Sequence, residues 1–195
     1  MINSKNYINY RWFFTSSERL VVGGKNKEQN ELVIKNFLKP DYVVAHTSAP
    51  GSPFMIIQSS NPSKQDINEA AVFCACFSKE WKRVSKNNKI AVDIFKGSQI
   101  YKTKTMKIGT FGVKGNKKTL NVKPELALLI QKGKLSAVPK ISKIENTFIE
   151  IKPGKLSKEQ TVEEIYRVIK DKSIKISKEE IMQVIPSDCL NVKAI

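Results

Sequence analysis

Apolar and polar positions change period twice within the first forty residues. Tyr10 to Phe14 and Leu20 to Val22 are short aromatic and β-branched runs joined by the polar stretch TSSER, a pattern that predicts a hairpin. Gly23-Gly24 ends the second run, and Asn26 stands three residues before Gln29, as an N-cap stands before its helix. Leu32, Val33, Phe37 and Leu38 then form a stripe that stops before Pro40, so a helix is expected over residues 27–38.

Further on, Tyr42 to His46 and Phe54 to Gln58 are extended runs around SAPGSP, whose prolines and glycine break regular structure. Ile67, Ala70, Ala71, Cys74, Phe77 and Trp81 recur at helical spacing, widened by Phe73 and Cys76, and predict a core helix over residues 65–81. From Ile90 to Val122 the period returns to two: IAVDIF, QIY, TFGVK and KTLNV read as short strands separated by glycines and lysines. After the apolar segment Glu125 to Ile130, the Gly-, Pro- and Lys-rich passage GKLSAVPKISK marks a change of character. A strand over residues 147–152, a PG turn and two helices follow, the helices opening with Ser157/Gln160 and Ser177/Glu180 capping boxes. Val162, Ile165, Tyr166 and Ile169 give the first of these helices an apolar face. The expected fold class is α+β: short antiparallel strands with two main helices over residues 1–132, then a small α+β module over residues 133–195.

Charge adds a direction to this picture. The net charge is +16, but 30 of the 34 basic residues are lysine, as an AT-rich genome would produce, so bulk charge carries little. Its distribution carries more. Residues 79–123 hold 13 basic and two acidic side chains, net +11, whereas residues 131–195 hold 13 basic and nine acidic, net +4. A localised excess of this kind is the electrostatic footprint of a polyanion site. No apolar run approaches the ~18 residues of a membrane span, no signal peptide is visible, and no amphipathic helix carries the charge, so a nucleic acid is favoured over a membrane surface and a cytoplasmic location is expected.

Three constellations compete for chemistry. Gly23 to Asn26 lead into a helix start, where backbone N–H groups and the helix dipole suit an anion; the alternative is a plain strand-ending turn. His46 is the only histidine, with Asp41 and Ser52 nearby, but there is no GxSxG elbow, and Asp41 and His46 would face opposite sides of one strand. A strand-end histidine bonded to backbone and a nucleic-acid contact stay open. Lys114, Lys117 and Lys118 form a basic hairpin tip, with Lys102, Lys104 and Lys107 on the hairpin before it; they are either solubilising or track a phosphate backbone. Tyr101 and Phe111 lie among them, as core residues or as platforms for unpaired bases. Cys74, Cys76 and Cys189 make no CxxC pair, and residues two apart on a helix diverge by roughly 200°, so buried thiols are expected, with no zinc, cofactor or catalytic residue.

Arg11 to Glu31 (RWFFTSSERLVVGGKNKEQNE), Asp41 to Ser52 (DYVVAHTSAPGS), Asn68 to Trp81 (NEAAVFCACFSKEW) and Gly109 to Leu120 (GTFGVKGNKKTL) resemble, in order, the segments of the NFACT RNA-binding domain. Pro53 replaces a frequent histidine, and the segment before Gly109 lacks the family's tryptophan-rich strand. The tail, FIEIKPGKLSKEQTVEEIYRVI and VIPSDCLNVKA, is similar to the family's C-terminal module. The resemblance implies an RNA-binding module that meets ribosomal RNA or tRNA, with the large ribosomal subunit as partner, in translation-linked quality control. It points to Gly24, Lys25, Asn26, Asn30 and His46 as RNA contacts beside the six lysines. Chain elongation in the family depends on an N-terminal module not found here, so an independent tailing activity is not expected. The alternatives are an accessory subunit that presents RNA to a modifying enzyme and a generic polyanion binder.

Overall fold

The computed structural model describes residues 7–84, 88–142, 144–171 and 175–195. β1 (Arg11–Phe14) and β2 (Leu20–Gly23) form the expected hairpin, with Phe14 opposite Leu20. α1 (Lys27–Phe37) starts where Asn26 Oδ1 accepts from the Gln29 N–H at 2.8 Å. β3 (Val43–Thr47), β4 (Met55–Ile57), β5 (Ile90–Lys96) and β8 (Lys118–Val122) complete a six-stranded antiparallel sheet in the order β1-β2-β4-β3-β5-β8. β6 (Ile100–Tyr101) and β7 (Gly112–Val113) form a separate two-stranded ribbon. VKGNKKT is therefore not a hairpin tip. It carries the chain from the ribbon to β8, and the segment holding Lys102, Lys104 and Lys107 leaves the ribbon's other end.

α2 (Lys64–Cys76) is capped by a Ser63/Asp66 box and is followed by a 3₁₀ turn, Lys79–Lys82, where one longer helix was expected. It is buried all round rather than on one face: Ala70 to Cys76 are each at most 2% exposed. The small side chains of Ala70, Ala71, Cys74, Ala75 and Cys76 let layers approach it from two sides. One is the first sheet. The other is a four-stranded antiparallel sheet, β10-β9-β11-β12, built from β9 (Leu126–Gln131), β10 (Lys134–Pro139), β11 (Ile149–Leu156) and β12 (Leu190–Ala194). Phe13, Phe73, Leu128, Ile149 and Ile165 belong to one continuous core.

Two expectations change here. GKLSAVP, the first part of GKLSAVPKISK, is the turn and second strand of the β9–β10 hairpin, so pairing places the apolar strand β9 with the C-terminal unit, and a division at residue 132 falls within that turn. Pro153-Gly154 is no turn; it forms an irregularity inside β11, between the pairings of Pro153 and Leu156 with Leu190. The last helices, α3 (Lys158–Asp171) and α4 (Lys178–Val184), open with both expected capping boxes, and α3 buries Val162, Ile165 and Ile169. Gln131 joins the two sheets. Its side-chain amide accepts from the Phe14 N–H at 3.0 Å and donates to the Phe14 carbonyl at 2.9 Å, which occupies the open edge of β1.

α1 covers the first sheet's opposite face, over Trp12, Phe14, Val22, Val44, Phe54 and Ile56. That face positions the candidate residues.

Candidate nucleic-acid interface

The turn before α1 is filled from within. Gln29 Oε1 accepts from the Lys25 N–H at 2.9 Å, Asn26 Oδ1 takes the Gln29 N–H, and the Asn30 N–H bonds the Asn26 carbonyl. Gly24 is buried, and a Cβ on it would overlap Asn30 Oδ1. These three donors are taken up within the turn, and packing against Asn30 requires glycine at position 24. Lys25 projects away from the lysine-rich segments: its Nζ donates to Gln183 Oε1 of α4 at 2.9 Å. Burial, then repulsion by Arg11 and Lys158, lowers its pKa.

His46 stands on β3 with its ring 4.5 Å from that of Phe54. Nδ1 is 2.7 Å from the Thr47 carbonyl, which can only accept, so Nδ1 carries the proton. Burial lowers the imidazole pKa against the opposing effects of that bond and of Asp93. Asp41 precedes β3 and shares no strand with His46, while Ser52 Oγ accepts the Thr47 N–H at 2.9 Å. Cys74 and Cys76 are buried, and burial pushes the Cys74 thiol up to about 12. Among the described residues no group of three or more His, Cys, Asp or Glu is placed to hold a metal ion.

The six lysines divide by partner. Lys102 pairs with Glu31 of α1, which also accepts the Gly109 N–H at 2.7 Å, and Lys102 Nζ lies 4.6 Å from the Phe111 ring centre. Glu31 thereby pins the loop 102–111 to α1; its pKa is lowered, by Lys102 first and against some burial. Lys117 Nζ is 2.6 Å from Asp93 Oδ2 on β5, and Asp93 also accepts from Ser48 and Thr119 at 2.8 Å. Lys104, Lys107, Lys114 and Lys118 are exposed, and none of them has an acidic partner within ion-pair distance among the described residues. Lys104 and Lys107 lie in the segment that joins the two ribbon strands, Lys114 follows β7, and Lys118 opens β8. Gln99 fixes one end of the ribbon by donating to the Lys114 and Asn116 carbonyls at 2.8 Å. Phe111 packs edge-on to Phe54 and belongs to the core, while Tyr101 is exposed over Gly112.

The sequence carries no local signal for the role of Asp93, because Ser48, Lys117 and Thr119 lie at least 24 residues from it. Burial raises its pKa, but the bonds from Lys117, Ser48 and Thr119 outweigh this and the net shift is downward. A carboxylate with a depressed folded pKa adds stability that is complete above the unfolded value near 4 and is lost as pH falls through the folded value. Asp93→Ala is expected to cost about 2 kcal/mol at pH 7, discounted because Lys117 can return to water, and to flatten the acid limb of the stability profile below about pH 4. Urea unfolding from pH 7 to pH 3 measures both.

A family profile described as the NFACT protein RNA binding domain matches residues 9–115. The archaeal Rqc2 homolog aRqcH of Methanocaldococcus jannaschii is 28% identical over 196 aligned positions, covering 92% of this chain and 28% of that protein. The ribosome quality control complex subunit NEMF homolog of Drosophila melanogaster is 28% identical over 150 positions, covering 72% of this chain and 14% of that protein. The chain thus spans less than a third of either relative. Among solved structures, the C-terminal part of the fibronectin/fibrinogen-binding protein of Streptococcus suis superposes with a TM-score of 0.53 at 26% identity, over 59% of this chain and 45% of that one.

Proposed function

The chain belongs to the NFACT RNA-binding domain family, and from that premise we propose that it binds ribosomal RNA or tRNA on the large ribosomal subunit, in the setting of translation quality control. The observation that supports this most directly is the set of four exposed lysines without acidic partners around the β6–β7 ribbon, beside exposed Tyr101. Lysines so placed bind by releasing counterions from phosphates, and an exposed aromatic among them can stack on an unpaired base. The relatives' names add the ribosomal context. Binding without turnover is part of the proposal. His46, Ser52, Cys74 and Cys76 are all engaged in or buried by the fold, which leaves no assembled nucleophile and base among them. No helix of the described residues is long and apolar enough to cross a membrane.

Sedimentation of the purified chain with separated ribosomal subunits tests the reading. The expected result is pelleting with large subunits at low salt and release as salt rises. Equal pelleting with both subunits at all salt concentrations would reduce the protein to a generic polyanion binder.

A further inference from the structure

A second cationic site lies away from the lysine-rich segments, in a cleft of about 450 Å³ where the two sheets meet. β1 supplies Arg11, the turn before α1 supplies Lys25, β10 supplies Lys134, and α4 closes the far side with Gln183 and Val184. The floor is apolar, from Phe73, Phe77 and Leu135. The Arg11 guanidinium carbon stands 4.0 Å over the Phe77 ring centre, so the cation rests on the aromatic face while its N–H groups are available to a ligand.

The charges around this cleft do not cancel. Arg11 has neither a carboxylate partner nor a side-chain hydrogen bond among the described residues, although burial pulls its pKa down to about 10. Lys158, at the start of α3, lies near enough to Arg11 and Lys25 for each to lower its pKa or be lowered by it, and Asp188 and Glu159 offset this only in part. Among the described residues the acid lining the cleft is Glu180, whose Oε2 is turned to the Ser177 N–H, at 2.9 Å, in the capping box of α4. Folding has therefore gathered cations that repel one another at a desolvated place, a cost that natural proteins carry chiefly where an anion is received.

We propose that this cleft binds a phosphate monoester, either the terminal phosphate of an RNA or that of a free mononucleotide, through Arg11 and Lys25 with Lys158 behind them. A monoester carries close to two charges at neutral pH, which suits a cluster of three cations, only one of them partly offset by acids, better than the single charge of a carboxylate or a bridging diester. The volume suits one nucleotide, whose sugar and base would meet the apolar floor. The choice of a nucleotide rests on the RNA-binding reading above; the anion site rests on the cluster alone.

The test is calorimetric titration of the full chain with AMP and with two RNA tetranucleotides that differ only in a 5′-phosphate. The expected result is that the 5′-phosphorylated oligomer binds at least tenfold more tightly than its 5′-hydroxyl counterpart, and that Lys25→Gln and Arg11→Gln each remove about tenfold of that affinity. AMP binding as tightly as the oligomer assigns the cleft to free mononucleotides; weaker AMP binding assigns it to RNA ends. Arg11→Gln should also raise the melting temperature of the unliganded chain, because it removes one of three repelling charges. A lower melting temperature with unchanged ligand affinity would make Arg11 a packing residue on Phe77 and overturn the site. So would the absence of any phosphate dependence. If that absence is accompanied by RNA binding through the β6–β7 segments, the cleft proposal alone fails; if no RNA of any kind binds, the RNA-binding reading fails independently.

Discussion

Glutamine in place of Lys104, Lys107, Lys114 and Lys118 together is expected to lower affinity for single-stranded RNA about two hundredfold near 0.15 M salt. For single strands, the logarithm of affinity changes by roughly 0.7 per neutralised phosphate per decade of salt, which is about fourfold per lysine at that concentration. The quadruple change should also reduce the salt slope by about 3. Lys102 and Lys117 are left out because they are held by Glu31 and Asp93; releasing them requires breaking an ion pair, so each contributes less than a free lysine. Fluorescence anisotropy with a labelled oligonucleotide at four salt concentrations gives affinity and slope together. An affinity that falls less than fivefold would move the RNA surface elsewhere. The melting temperature should stay within a degree or two of the parent's, since the four side chains are exposed.

Gly24→Ala is expected to destabilise the protein by about 2 to 3 kcal/mol. The added Cβ would stand 2.7 Å from the Asn30 nitrogen and 3.0 Å from the Gln29 carbonyl carbon, besides overlapping Asn30 Oδ1. Two of these neighbours are backbone atoms in the first turn of α1, so no rotamer change relieves the contact. The φ of Gly24 lies outside the positive region, so the penalty comes from packing and not from backbone conformation. A melting temperature lower by roughly 4–12 °C follows for a chain of this length. Asn30→Ala in the same background should recover part of the loss, because it removes one of the overlapping atoms. Unchanged stability of Gly24→Ala would show that the turn can open, and would return Gly24 to the list of phosphate-approach positions.

How far the sequence determines this protein can be followed residue by residue. Local signals were legible because their causes are local. Asn26 with Gln29, Ser157 with Gln160 and Ser177 with Glu180 cap helices by bonds within four residues, and the hairpin of Arg11 to Gly23 follows from aromatic and β-branched runs around one polar turn. The α+β class and the family followed from such segments taken in order. The sequence also localised the basic excess between Lys79 and Lys123.

What the tertiary structure alone decided is which charges stay free and which elements share a core. Lys102 and Lys104 look alike in the chain, yet Glu31, 71 residues before Lys102, takes one of them and not the other. Arg11 gave one faint signal, as one of four arginines in a lysine-rich chain, but its contact with the Phe77 ring and its place beside Lys25 and Lys158 depend on three elements remote in sequence. α2 reads as one-sided by period, and only the arrival of the second sheet buries its other side. Period and capping are fixed by bonds a few residues long, whereas ion pairing and desolvation are fixed by distances through space, which no local pattern encodes.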